Sequence, residues 1–452
     1  MMIPRHLRTI FYAAVLASAA LPASAQLTID MTKPSFEPVP IAIVDFAGDA
    51  VGGQMATVIR NNLQNSGLFR SIPPGAFIQQ NVNPNGAPRF ADWRGIGAAG
   101  LVVGQVTTVG GNLKVDFRLW DVVVGQQAAG LSFTSQSDKW RRLAHIISDA
   151  IYKRVTGEEG YFDTRIAYVS ETGPLNNRVK RIAVMDQDGA NTKYITDGRT
   201  IALTPRFSPT LQEIVYMAYG ENRGPPRVYL QNVDSGRRET LGSFPGMSFA
   251  PRFSPDGGKV AMSLAADGNT DLYEMEVRGR GTCTEVPRDG RDLCQRRLTI
   301  TPAIDTSPSY SNDGTQIVFN SDRGGTQQLY VMSASGGGEK RISFGDGRYA
   351  TPVWSPRGDY IAFTKISSGG FGIGIMRPDG SGERMLASGF LVEGPTWAPN
   401  GRVLAFFRQQ PNSAGRAGSV TLHSIDITGR FEHQIPTATD ASDPAWSPLI
   451  PQ

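Results

Sequence analysis

The chain has 452 residues, with 45 Lys and Arg against 41 Asp and Glu, a formal net charge of +4, and two cysteines. So even a charge balance argues against the basic footprint of a nucleic-acid binder, and two cysteines cannot build a disulfide scaffold. The length accommodates two domains with sizeable cores, and 51 Gly with 30 Pro point to many turns between short strands.

Residues 1–25 read as an export signal. Arg5 and Arg8 form a positive start, Ile10 to Leu21 is a short Ala-rich apolar run, and Ala23-Ser24-Ala25 is a cleavage site. The run is too short to favour a membrane span, and no cysteine follows for lipid attachment. The mature chain is expected to begin at Gln26 in the periplasm. From there to Pro38, Leu27 and Ile29 have strand character, but Lys33, Pro34 and Pro38 interrupt regular pairing. The segment is expected to lie loosely at the surface, able to add to another protein as a strand or dock in its groove. A frayed terminus without function is the plain alternative.

Residues 26–160 read as an α/β domain. Strands are predicted over Pro40–Phe46, Leu68–Ile72, Gly100–Thr107, Leu113–Val124 and Gln127–Thr134, and a helix over Gly53–Gln64. Asp138 is expected to cap a second helix over Lys139–Val155, with Trp140, Leu143, Ile147 and Ile151 on one face. Asn81–Pro88 reads as an exposed loop and Gly157–Gly160 as a hinge.

Residues 161–452 carry one pattern six times: TPRFSP at Thr204, APRFSPDG at Ala250, SPSYSNDG at Ser307, TPVWSPRG at Thr351, GPTWAPNG at Gly394 and DPAWSP at Asp443. The marker aromatics Phe207, Phe253, Tyr310, Trp354, Trp397 and Trp446 are separated by 46, 57, 44, 43 and 49 residues. A period near 45 in a Gly/Pro-rich β sequence is the signature of a β-propeller, one blade per repeat. Each aromatic is followed by a turn such as Asp256-Gly257, Asp313-Gly314 or Asn400-Gly401, then by two β-favouring runs, as in Lys259–Leu264 with Leu272–Val277 and Gln316–Asn320 with Gln328–Met332. Proline donates nothing to a ladder, so the Pro before each aromatic is expected at a strand start or unpaired edge.

The last copy, Asp443–Pro448, lacks room for a whole blade, whereas Arg165–Ser170, Arg181–Met185 and Lys193–Thr196 look like blade strands without a leading motif. Joined, they complete a sixth blade and remove the exposed edges of a linear array. The fold class is thus an α/β N-terminal domain followed by an all-β six-bladed β-propeller with split-blade closure.

Cys283 and Cys294 both lie in the 57-residue interval. In an exported protein they most simply form a disulfide across an enlarged loop; a redox or metal role has neither CxxC spacing nor a nearby His to support it. Reactive constellations are scarce. His145, His423 and His433 show no metal-ligand spacing, and no GxSxG elbow occurs. Ser335–Gly338 and Ser368–Gly370 are turns without the Lys of a phosphate loop, and one Asp per turn at Asp256 and Asp313 is too few oxygens for a tight calcium site. Calcium held by several blades within the channel stays open, and otherwise no cofactor is expected.

RFSPDG at Arg252–Gly257, LYVM at Leu329–Met332, WSPRGDYIAF at Trp354–Phe363, TWAPNG at Thr396–Gly401 and the terminal DPAWSP, together with LTID at Leu27–Asp30 and IAIVDFAG at Ile41–Gly48, resemble the TolB family across essentially the whole mature chain. The resemblance implies a monomeric, non-enzymatic interaction hub of the Tol-Pal system. Such a hub binds the lipoprotein Pal across a propeller face and TolA through the mature N-terminus, supports outer-membrane integrity and cell division, and is parasitised by colicins that insert a peptide into the channel. It also implies an N-terminal segment, here Gln26, Leu27, Thr28, Ile29, Asp30, Met31, Thr32 and Lys33, that is released or tucked away according to Pal occupancy.

By position, Thr204, Phe249 with Ala250, Thr306 with Ser307, Ala350 with Thr351, Glu393 with Gly394, and Asp443 match the Pal-facing and channel-mouth loops. Each is expected on the loop feeding a blade's first strand. Ser307 stands where an acid can occur in the family, and the cysteine-bearing insertion is a second departure. The alternative from another class is a periplasmic propeller enzyme or carbohydrate-binding module using the channel as its pocket.

Overall fold

The computed structural model describes residues 27–29, 37–174, 177–219, 226–243, 248–266, 269–277, 295–412 and 418–451. The export signal, Gln26, Asp30 to Lys33 and both cysteines fall outside them.

The first unit is a mixed sheet carrying two helices. Its strands are β1 (Val39–Ile43), β2 (Ala47–Gly48), β3 (Phe69–Ser71), β4 (Gly100–Val109), β5 (Asn112–Asp121) and β6 (Gln126–Gln136), in the order β3-β1-β4-β5-β6 with β2 beside β4. β1 runs parallel to β3 and β4, and the β4-β5-β6 meander is antiparallel. Helix α1 (Gly52–Asn65) buries Met55, Ile59 and Leu63, and helix α3 (Trp140–Thr156) buries Leu143, Ile147, Ile151 and Val155. These apolar positions recur every three or four residues, so both stripes meet one another over the sheet in a single core. A short helix α2 (Phe90–Gly95), which the sequence pattern did not reveal, buries Trp93 against the other face.

Asp138 does not cap α3. A 3-10 turn over Ser137–Lys139 carries the chain out of β6, the helix starts at Trp140, and no side chain caps it. The turn displaces Asp138 from the position at which its carboxylate would meet the free N–H groups, and it pairs with Lys139 instead.

Residues from Arg165 onward form six four-stranded antiparallel sheets. Their innermost strands are Ile201–Phe207, Ser248–Phe253, Asp305–Tyr310, Arg348–Trp354, Leu391–Trp397 and Asp440–Trp446, which head blades one to six. In blade six, Asp440–Trp446 pairs with Arg165–Thr172, followed outward by Val179–Asp186 and Lys193–Tyr194. The expected split closure is therefore present.

The Pro of each repeat occupies neither a strand start nor an edge. It lies inside the innermost strand, where the ladder register shifts, as between Leu203 and Arg206 or Ser442 and Ala445. The residue before it has positive φ in all six blades: Thr204 (48°), Ala250 (49°), Ser307 (56°), Thr351 (46°), Gly394 (70°) and Asp443 (48°). The missing N–H breaks the ladder, and a left-handed residue absorbs the break as a bulge. Gly and Asp adopt that conformation readily, whereas Thr and Ala pay on the order of 1 kcal/mol, a cost borne only where surrounding strands impose the geometry.

Closure rests on Trp446. Its ring meets Tyr161 edge-on at 5.7 Å, its Nε1 donates to Thr164 Oγ1 at 2.8 Å, and Ser447 N donates to Arg165 O at 2.9 Å. Trp446→Ala is expected to cost about 3–5 kcal/mol, and removal of residues 443–452 to abolish the cooperative melt of the propeller. A truncated chain with the thermal transition of the full-length protein would disprove the closing role of this strand.

Candidate functional site: the propeller channel and the domain joint

Because the bulged residues belong to the innermost strands, they do not sit on loops as the sequence reading expected. Thr204, Ala250, Thr306, Ser307, Ala350, Thr351, Glu393, Gly394 and Asp443 are all within strands that wall the channel, and Phe249 is placed there by its backbone pairing with Ser263. The structure thus gathers them into one ring. Several are already engaged: Thr351 Oγ1 meets Thr364 Oγ1 at 2.8 Å, and Ser307 N donates to Ser263 Oγ at 3.1 Å. Thr204 Oγ1 is buried without a hydrogen-bond partner.

The channel changes character along its length. At the bulge level are the carboxyls of Glu393 and Asp443, both pushed above their ordinary range by burial, and Glu393 further by Asp443. They share a cavity of about 440 Å³ with Glu171, Arg178 and Lys180. Two residues further along blades one and two stand Arg206 and Arg252, and beyond them the six marker aromatics line a second cavity of about 360 Å³. Two guanidiniums at that level oppose a bound calcium ion there. The arginines were written in the repeats, TPRFSP and APRFSPDG, but their occurrence in only two blades was the signal that sequence reasoning passed over.

The aromatic end faces the α/β domain, and the joint between the two is clamped rather than hinged. The α3 C-terminus turns at Gly157 (φ 75°), and Glu158 then pairs with Arg402 and Arg357 of the propeller. Asp149 accepts from the N–H groups of Phe162 (2.7 Å) and Asp163 (2.9 Å), leaving no room for a Cβ at Gly160. Burial pushes Asp149 up to about 7 and Asp163 up to about 6, the latter against the pull of Arg142. One continuous core runs from α1 and α3 through Tyr161 and Phe162 to Trp446. Rigid packing of this kind has no slack for a hinge.

Also at the joint, His145, Asp186 and Asp188 offer ligand atoms within 4.8 Å of one another. Arg141 already bonds Asp188 at 2.5 Å, and burial brings His145 down to about 4, so the cluster is a neutralised polar seam. Gln187 Nε2 donates to Asn62 Oδ1 at 2.9 Å across the same seam.

The N-terminal segment departs from expectation in its described part. Leu27 and Ile29 are 6% and 7% exposed, not loose at the surface. Leu27 N donates to Asp121 Oδ2 at 2.7 Å and Ile29 N to Val155 O at 2.9 Å, which ties Leu27–Ile29 between β5 and α3. The alternation apolar–polar–apolar of Leu27-Thr28-Ile29 is what lets both side chains enter the core.

Comparison with known proteins follows these two units. Residues 27–128 match the TolB amino-terminal domain and residues 152–450 the TolB beta propeller domain. The Tol-Pal system protein TolB of Gluconobacter oxydans (strain 621H) is 49% identical over 437 residues, covering 95% of this chain and 90% of that protein. The crystal structure of TolB from Acinetobacter baumannii superposes with a TM-score of 0.77 at 28% identity, covering 91% of this chain and 97% of that one.

For Asp149, the folded protein keeps a proton up to about pH 7 that the unfolded chain releases near the ordinary carboxyl value of 3.8. Its contribution to stability therefore falls as pH rises through that window. His145, lowered from 6.5 to about 4, acts with the opposite sign between those values. The wild-type protein is expected to lose stability between pH 4 and pH 7 relative to Asp149→Asn, by thermal melts at matched ionic strength. Parallel melting curves for the two proteins would contradict it.

Proposed function

The chain belongs to the TolB family, and on that premise we propose that it is a non-enzymatic, monomeric interaction hub of the Tol-Pal system, working in the periplasm after removal of residues 1–25. The observation that carries the reading is identity of 49% to a Tol-Pal system protein across 95% of this chain, both structural units included. In this reading the bulge-level face of the propeller, opposite the α/β domain, receives Pal. Residues 26–33 receive TolA, and the assembly supports outer-membrane integrity and cell division, with colicins exploiting the same channel.

Three features support it. The positive-φ ring of Thr204, Ala250, Ser307, Thr351, Gly394 and Asp443 lies in paired strands and so gives a surface whose shape does not depend on loop ordering. Leu27 and Ile29 are held by burial and two backbone N–H bonds, an anchorage of about 3–6 kcal/mol that a partner's binding energy can reverse. Among the described residues, Ser424 Oγ lies 3.2 Å from His433 but is buried, and His423 faces Glu432 at 3.0 Å.

Calorimetric titration of residues 26–452 with the soluble domain of Pal from the same organism is expected to show saturable one-to-one binding. Glu393→Arg combined with Ala250→Trp is expected to weaken that binding at least tenfold, while a chain starting after Lys33 keeps Pal affinity and loses TolA capture. Ala250 has positive φ, a conformation that a bulky side chain adopts less readily than Ala, so circular dichroism and a thermal melt accompany the titration to check that the variant is folded. Unchanged Pal affinity in the double variant would move the interface elsewhere; normal TolA capture by the trimmed chain would remove the N-terminal assignment.

A further inference from the structure

At the position after Pro, the six blades carry Arg206, Arg252, Ser309, Val353, Thr396 and Ala445. The two arginines are therefore neighbours on blades one and two, and both line the cavity of about 360 Å³ at the aromatic end of the channel. Arg206 is 7% exposed; its Nη1 donates to Pro205 O at 2.6 Å, while its Nε is buried with no partner. Arg252 is half-buried and pairs with Ala261 through its backbone, and its side chain has no hydrogen bond or ion pair among the described residues. Burial lowers both guanidiniums from their ordinary range, and Arg206 lowers Arg252 further.

Asp443 is the carboxylate that acts on both, yet it forms an ion pair with neither. For Arg206, which is the buried one of the two, an unpaired ion costs several kcal/mol, and a guanidinium does not escape that cost by losing its proton. Neither guanidinium has an anion in contact with it, so the level of the two arginines is locally positive. That charge suits a monoanion, and the planar fork of each guanidinium suits two coplanar oxygens. The rim is built from the faces and edges of Phe207, Phe253, Tyr310, Trp354, Trp397 and Trp446, which favours an apolar or planar body attached to the anion.

We propose that the propeller channel holds a carboxylate-binding site, in which Arg206 and Arg252 grip one carboxylate group that enters through the aromatic mouth on the side of the α/β domain. The site lies at the end of the channel away from the bulge-level ring, so it stands or fails separately from the Pal assignment. The carboxylate arrives either on a free organic acid or on an acidic residue of a narrow peptide.

Trp354, Trp397 and Trp446 line the cavity, so intrinsic fluorescence reads occupancy directly. The mature chain is titrated with phenylacetate, with the blocked tripeptide Gly-Asp-Gly, with its Gly-Asn-Gly counterpart and with inorganic phosphate. Saturable change with phenylacetate or Gly-Asp-Gly, but not with Gly-Asn-Gly, is the expected result. The stronger of the two ligands identifies the source. Arg206→Gln with Arg252→Gln is expected to weaken binding about tenfold or more, with circular dichroism checking the fold. Arg252→Gln alone, at the less buried site, gives a second reading if the double variant misfolds. No saturable response to either carboxylate, tighter binding of phosphate, or undiminished affinity in the folded variants would overturn the proposal.

Discussion

Everything in the propeller depends on the pairing of Asp440–Trp446 with Arg165–Thr172, strands almost three hundred residues apart in sequence. Without it, blade six has no inner strand and blade five presents an open flank. The same pairing carries Trp446 against Tyr161 and Thr164, and so fixes the α/β domain to the ring. Closure and domain docking are therefore one cooperative event, which is why the joint is filled with a continuous core and with buried acids rather than with flexible linker.

The channel is best understood as a gradient. Glu393 and Asp443 make its bulge-level end acidic, Arg206 and Arg252 make the next level basic, and the six aromatics close it with apolar surface. Within one innermost strand the bulge residue, the residue after Pro and the aromatic span only four positions, yet strand alternation and the bulge send them to different depths. The aromatics repeat in all six blades, whereas the acids and the arginines each come from two, so the gradient is asymmetric around the channel.

Much of this was legible beforehand. The spacing of Phe207 through Trp446 defined the blades, the truncated final motif announced the split closure, and the spacing of Trp140, Leu143, Ile147 and Ile151 defined the long helix. What was hidden has a common cause. Thr204, Ala250 and Thr351 are residue types that avoid positive φ, so the bulge emerges only when neighbouring strands enforce it and no local propensity reports it. Asp138 fits a cap by composition, and a single 3-10 turn displaces it. Leu27 and Ile29 are a strand-like pair next to prolines; their burial depends on a cleft between β5 and α3 that exists only in the folded domain.

The order of the strands also governs when the protein can become itself. Arg165–Thr172 and Asp440–Trp446 lie at opposite ends of the propeller sequence, so the ring shuts only when both strands have reached the same place. Until then Arg165–Thr172 keeps a bare edge, and the five blades between the two strands are free to splay as an open arc.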